Sequence, residues 1–156
     1  MRLIVCSDNH GLYGPLQKLL ENYPEAEAFI HCGDIQIAPH EVKAFTVVAG
    51  NGDHPQHFPQ SLIVEKGNHR IFVVHGHQFS YPNRVVEIAK KAADLGCDIA
   101  CFGHTHIYEK TVIDNVLCIN PGSLNYNRDG TDPSYIVLDL EDDKIEVTKK
   151  LVKDLK

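Results

Sequence analysis

Ten histidines among 156 residues invite attention, because imidazole has two jobs near neutral pH: it moves protons and it ligates metals. The residues able to do such chemistry fall at regular places. Leu3–Cys6 leads to Asp8 and His10, Phe29–Cys32 leads through Gly33 to Asp34, and Thr46–Ala49 leads through Gly50 to Asn51. Phe72–Val74 leads directly to His75, and Ile99–Phe102 leads through Gly103 to His104 and His106. Each time an apolar run ends and a side chain that can hold a cation follows. Asp, His and Asn without thiolate form a borderline donor set suited to Mn, Fe, Zn, Ni or Co. Seven donors exceed the need of one tetrahedral zinc. They suit two ions about 3.5–4 Å apart with a carboxylate between them. A hydroxide bridging two such ions would exist at neutral pH and could attack phosphorus in line, while the ions neutralise the non-bridging oxygens.

For seven donors to meet, the elements carrying them must be neighbours. Leu3–Cys6 is too short for a helix and reads as a buried strand. A helix begins near Gly14-Pro15, with Leu16, Leu19, Leu20 and Tyr23 as its apolar stripe. Ala28–Ile30 and Thr46–Ala49 are further strands, with a short helix predicted over Pro39–Phe45. Leu62–Val64 and Ile71–Val74 flank Gly67-Asn68 as a hairpin, and Pro82–Leu95 is a helix stopped by Gly96. Ile99–Phe102 follows as a strand. Val112-Ile113 and Val116-Leu117 bracket Asp114-Asn115, and Tyr135–Leu140 with Ile145–Leu151 form a last antiparallel pair. Strands alternating with helices, then hairpins, predict an α/β domain of two stacked sheets with helices outside. If the strands are parallel neighbours, their carboxyl ends bring the donors together, as ligand sites in open sheets are built.

Composition narrows the partners. With 43% hydrophobic and 23% charged residues the chain is ordinary globular material, and its length predicts a single domain over 1–156. Fifteen Lys and Arg against 21 Asp and Glu give a net charge of −6, which disfavours long nucleic acids. No apolar run approaches the roughly 20 residues that span a bilayer. The acid at Asp8 interrupts any secretory leader, so a cytoplasmic location is expected. Five cysteines (Cys6, Cys32, Cys97, Cys101, Cys118) lack redox or zinc spacing and read as small buried hydrophobes.

Asp8-Asn9-His10, Gly33-Asp34, Gly50-Asn51-Gly52-Asp53, His75-Gly76-His77 and Gly103-His104-Thr105-His106 together resemble the calcineurin-like metallophosphoesterases, and most of all their small prokaryotic phosphodiesterase branch. Asn120-Pro121-Gly122-Ser123 is similar to a later signature of that branch. The resemblance implies a four-layer α/β/β/α sandwich and two divalent cations, Mn²⁺ first among Mn, Ni, Fe, Zn and Co. It also implies a small phosphodiester substrate. It assigns Asp8, His10 and His106 to one metal, Asn51, His75 and His104 to the other, and Asp34 to the bridge. Many members carry a histidine after the motif asparagine, where this chain has Gly52. Losing such a group costs about 10²–10⁴-fold in rate, so phosphodiesters and esters of acidic alcohols fit better than unactivated monoesters. His54, His57 and His77 are the candidate substitutes, with His77 the catalytic candidate.

Plainer readings stand beside these. Asp8 alone could be a cap and Asn51-Gly52 alone a turn. His31 reads as a satisfied interior imidazole, and His40, His54, His57 and His69 as exposed loop residues. Asn120–Ser123 could be a tight turn or a phosphate-facing backbone, and Arg128 a surface arginine. A second function class is a protein-binding scaffold without turnover, since a eukaryotic retromer subunit shares the His-Gly-His-Gln, Gly-His-Thr-His and Asn-Pro-Gly-Ser strings. That subunit departs at the positions matching Asp34 and Asn51, which this chain retains. A metallo-β-lactamase-like reading fails because Gln78-Phe79-Ser80 follows His77. Self-association stays open, since the last hairpin could leave a free edge.

Overall fold

The computed structural model describes all 156 residues. In chain order the elements are β1 (Arg2–Cys6), α1 (Tyr13–Asn22), β2 (Ala28–His31), β3 (Phe45–Val47), β4 (Ser61–Lys66) and β5 (His69–Val74). They continue with α2 (Arg84–Asp94), β6 (Ile99–Cys101), β7 (Tyr108–Ile113), β8 (Val116–Pro121), β9 (Ser134–Leu140) and β10 (Ile145–Leu151). One sheet has the order β10-β9-β1-β2-β3, the other β4-β5-β6-β8-β7. β1, β2 and β3 run parallel, as do β5, β6 and β8, while hairpin partners close the edges antiparallel.

The period-2 alternation of buried strands sorts the side chains into layers. Leu3, Val5, Ile30 and Val48 point toward Ile71, Val73, Ile99 and Ile119 and fill the space between the sheets. Their neighbours Ile4, Cys6 and Phe29 face outward and pack under Leu16 and Leu19 of α1. Phe72, Val74, Ala100 and Phe102 do the same under Ile88, Ala89 and Ala92 of α2. Helix, sheet, sheet and helix therefore stack as four layers. Each fully buried Leu, Ile or Phe contributes roughly 1.5–3 kcal/mol, and all five cysteines are free and buried among them.

Two details differ from the sequence reading. The helix predicted over Pro39–Phe45 is only one 3₁₀ turn, Pro39–Glu41. Phe45 instead opens β3, because its backbone pairs with Phe29 and its ring packs 5.5 Å from that of Phe29. The Asp114-Asn115 hairpin is longer than its apolar residues suggested, with both turn residues at φ of 48° and 67°, the geometry of a type I′ connection.

Parallel pairing has one consequence for function. β1, β2 and β3 deliver their carboxyl ends to one edge of their sheet, β5 and β6 to one edge of the other. The edges touch: His104 N–H, after β6, donates to Asp8 Oδ2, after β1, at 3.0 Å.

Candidate metal centre

Three loops at this edge share an unusual backbone. Asp8 and His10, Asp34 and Gln36, and His104 and His106 all have φ between 46° and 70°. This left-handed region costs a non-glycine residue about 1–3 kcal/mol. Repeated at i and i+2 in three loops, it turns successive side chains toward one point. Gly33 permits the close approach: at φ +107° a Cβ there would stand 2.5 Å from His75 Nδ1.

The side chains that meet are all acceptors. His75 Nδ1–H donates to Cys32 O at 2.7 Å, His106 Nδ1–H to Tyr126 O at 3.0 Å and His10 Nδ1–H to Gln36 Oε1 at 3.2 Å. Each neutral ring must then present the bare lone pair of Nε2. Asp8 Oδ2 is taken by Ser7 Oγ–H and the His104 amide, leaving Oδ1 without a partner. Asp34 Oδ1 accepts Gly52 N–H at 2.7 Å, leaving Oδ2.

These free atoms converge. Asp8 Oδ1 lies 3.3 Å from His106 Nε2, 3.7 Å from His10 Nε2 and 3.9 Å from His75 Nε2. Asp34 Oδ2 lies 3.3 Å from His75 Nε2 and 3.8 Å from His10 Nε2. His10 Nε2 and His106 Nε2 face each other at 3.1 Å. Two overlapping groups result, Asp8 with His10 and His106, and Asp8 with Asp34 and His75. Buried lone pairs this close repel, and unpartnered acceptors such as Asp8 Oδ1 and His75 Nε2 are costly. Both penalties vanish around cations, so the residues fit divalent metal.

Protons can stand where a cation would. Burial opposes ionisation of Asp8, yet hydrogen bonds from His10 and His106, the field of His75 and the Ser7 hydroxyl hold its carboxyl far below the usual range. The carboxylates in turn raise the pKa of His10 and, against burial, that of His75. Burial likewise disfavours charge on Asp34 and is outweighed by His75 and the Gly52 amide. His104 is pushed down to about 4 by burial, then by His75 and Arg84, which keeps it a neutral donor.

The other expected site residues lie nearby in different degrees. The His104 ring is 5.1 Å from that of His75. Asn51 is exposed and makes no side-chain hydrogen bond, although its neighbours Gly50 and Gly52 lean on Asp34. His77 is half-buried, its ring 5.4 Å from His75 and its Nδ1 without a partner. His31 is buried and bonds Asn9 Oδ1 at 2.7 Å, with a pKa lowered to about 3 by burial. Asn120–Ser123 is an internal brace rather than a phosphate-facing backbone: Asn120 Nδ2 bonds Gly103 O, and Ser123 Oγ bonds Asp8 O at 2.7 Å. Arg128, His40, His54 and His57 are exposed. His69 is not; it is buried, because both ring nitrogens find acceptors.

Supporting residues emerge only in three dimensions. Asp53 Oδ2 accepts the amides of Asp34 and Gly50, and Oδ1 that of Gln36, each at 2.8 Å. It thereby locks the Asp34 loop to the Asn51 loop. Gln36 orients His10. For both the one sequence signal was proximity to a motif.

With this geometry in place, comparison with known proteins is specific. Residues 1–143 match the family model of the calcineurin-like phosphoesterase superfamily domain. The chain is 35% identical over 150 residues to the probable metallophosphoesterase YsnB of Bacillus subtilis (strain 168), covering 94% of this chain and 89% of that one. A conserved Streptococcus pneumoniae protein, a predicted phosphoesterase, has a crystal structure that superposes with TM-score 0.90 at 26% identity, covering 97% of this chain and 90% of that one. An archaeal phosphodiesterase superposes with TM-score 0.73 at 25% identity, covering 96% and 100%. Vps29 chains share the fold at 18% to 22% identity, a likeness of fold alone. Sequence match and layered architecture thus agree: the chain belongs to the calcineurin-like phosphoesterase superfamily.

Proposed function

We propose that the chain hydrolyses small phosphodiesters with the help of two divalent transition-metal ions. The observation that carries this reading is the convergence of unpartnered acceptors, with Asp8 Oδ1 common to both groups. Asp8, His10 and His106 would hold one ion, Asn51, His75 and His104 the other, with Asp34 between them. When bound, such ions supply Lewis acidity, lowering the pKa of water and neutralising phosphoryl charge. A donor set free of thiolate suits Mn²⁺, with Ni²⁺, Fe²⁺, Zn²⁺ and Co²⁺ as alternatives.

The chain's own residues do the positioning. The Cys32, Tyr126 and Gln36 acceptors fix three imidazole tautomers before substrate arrives, so little reorganisation is left for the reaction. His77 has its pKa lowered by burial and by His75, so it is neutral at pH 7. Its ring stands 5.4 Å from that of His75, which places it beside the candidate ligands. No histidine follows Asn51 to protonate a departing alkoxide, which favours diesters and acidic leaving groups. The similarity to an archaeal phosphodiesterase supports the same class, and retention of Asp34 and Asn51 favours turnover over a scaffold role.

The test is to purify the protein, measure bound transition metal, and follow bis(4-nitrophenyl) phosphate hydrolysis with added Mn²⁺. Asp34→Asn is expected to abolish most turnover and weaken Mn²⁺ binding. Unchanged turnover in that variant would overturn the two-metal reading.

A further inference from the structure

Beside the metal centre lies a hollow of about 300 Å³, lined by Gln36, Ile37, Ala38, Gly52, His54 and His57, with Asp53 at its floor. Its connection to the centre is direct. Gln36 Oε1 accepts from His10 Nδ1, Gln36 Nε2 donates to Gly52 O at 3.2 Å, and Gly52 N–H donates to Asp34 Oδ1. One amide side chain therefore touches a candidate ligand on one side and walls the hollow on the other. Gly52 keeps that wall in place: a Cβ there would stand 2.5 Å from Gln36 Nε2. The space beside Gly52 is thus taken by Gln36, and the hollow stays open.

The lining states what fits. At this volume, near the small end of ligand pockets, the hollow holds one organic group and not an oligomer. Ile37 and Ala38 offer apolar surface. His54 and His57 are stacked at 4.6 Å between centroids and 27° between planes, a planar face for another ring. His54 Nδ1 accepts the Gln56 amide at 3.2 Å, so its Nε2 carries the proton and donates. Asp53, the one carboxylate, has both oxygens engaged by three backbone amides, and no Lys or Arg lines the hollow. With no Lys or Arg present, a second phosphate would go uncompensated; a neutral heterocyclic group is matched by stacking and hydrogen bonds.

We infer that this hollow is the subsite for one ester arm of the substrate, and that the arm it selects is a neutral, nucleoside-sized alcohol. The inference rests on the phosphodiesterase reading for the position of the phosphate, and it deepens that reading by naming the substrate class. Two readouts keep the two apart. Hydrolysis of methyl 4-nitrophenyl phosphate and thymidine 5′-(4-nitrophenyl) phosphate tests the reaction. Calorimetry of the Mn²⁺-loaded protein with thymidine 5′-methyl phosphate against dimethyl phosphate tests the subsite, whatever the rate. Stacking one base on an aromatic face corresponds to about fivefold or more in affinity, so the nucleoside ester is expected to bind at least that much tighter. Ala38→Leu, which fills the hollow, and His54→Ala, which removes a planar face, should each erase the preference. In Ala38→Leu, Mn²⁺ binding, melting temperature and turnover of the methyl ester should stay at wild-type levels. Equal binding of the two esters by wild type, or a preference that survives both substitutions, overturns the subsite. Loss of hydrolysis alone, with the binding preference intact, counts only against the reaction.

Discussion

Asp53 shows how much a single carboxylate can organise without touching a reacting group. Its two oxygens take three amides from two loops, and an asparagine would turn an NH₂ against one of those donors. Asp53→Asn should therefore cost about 1–3 kcal/mol, the penalty for leaving a buried donor unsatisfied, read from urea denaturation. It should also weaken Mn²⁺ binding measured by calorimetry, since the Asp34 loop is no longer pinned. The donors themselves were legible because each follows an apolar run by a fixed short step. Asp53 and Gln36 were not. Their roles depend on how neighbouring loops close on each other, and neither composition nor periodicity encodes that. Left-handed φ at Asp8, Asp34 and His104 was equally hidden, because only glycine announces that conformation in a sequence.

At the scale of elements, β6 reaches the site with only three residues, and Phe102 just past its end is fully buried against α2. Phe102→Ala should cost roughly 3–5 kcal/mol and, by loosening the approach to Gly103 and His104, reduce metal affinity as well. Thermal melting with and without Mn²⁺ separates the two effects. β5 begins with a histidine whose environment the sequence misjudged. His69 Nδ1–H donates to Asp98 Oδ2 at 2.6 Å and Nε2–H to Glu141 O at 2.7 Å. Both partners only accept, so the ring is held as imidazolium. Burial lowers its pKa, but the bonds to Glu141 O and Asp98, with the field of Asp142, raise it on balance. Arg70, the next residue, directs its backbone amide to the other oxygen of Asp98. A raised folded-state pKa contributes stability that is complete below the unfolded value of about 6.5 and lost as pH climbs through the folded one. The stability gap between wild type and His69→Ala should thus be widest below about pH 6.5 and narrow as pH rises above it, as urea midpoints on either side will show. Local sequence placed His69 after a Gly-Asn turn and called for exposure. The acceptor that buries it comes from a turn 72 residues away.

Over the whole molecule, two stacked sheets with helices outside were readable from the succession of strands and helices, because that pattern answers to burial; parallel pairing was only the condition under which the donors would meet. The length of the Pro39 helix was not readable, since pairing with β2 recruited Phe45. The donors divide between the sheets: Asp8, His10 and Asp34 follow strands of one, His75, His104 and His106 strands of the other. A ligand that binds only the folded state adds about 2.7 kcal/mol at a hundredfold excess over its Kd. Chelation should accordingly lower the melting temperature. It should also speed amide exchange in the loops at 7–11, 33–36 and 103–106 more than in the β9–β10 turn.

β5 then acquires a mechanical meaning. One end reaches across the sandwich through His69 to Glu141, and the other reaches across through His75 to Cys32 and Asp34. A single six-residue strand is riveted to the opposite sheet at both tips, once by a proton and once by the cations its neighbours await. Acidity and metal supply would each tighten a different end of the same tie rod.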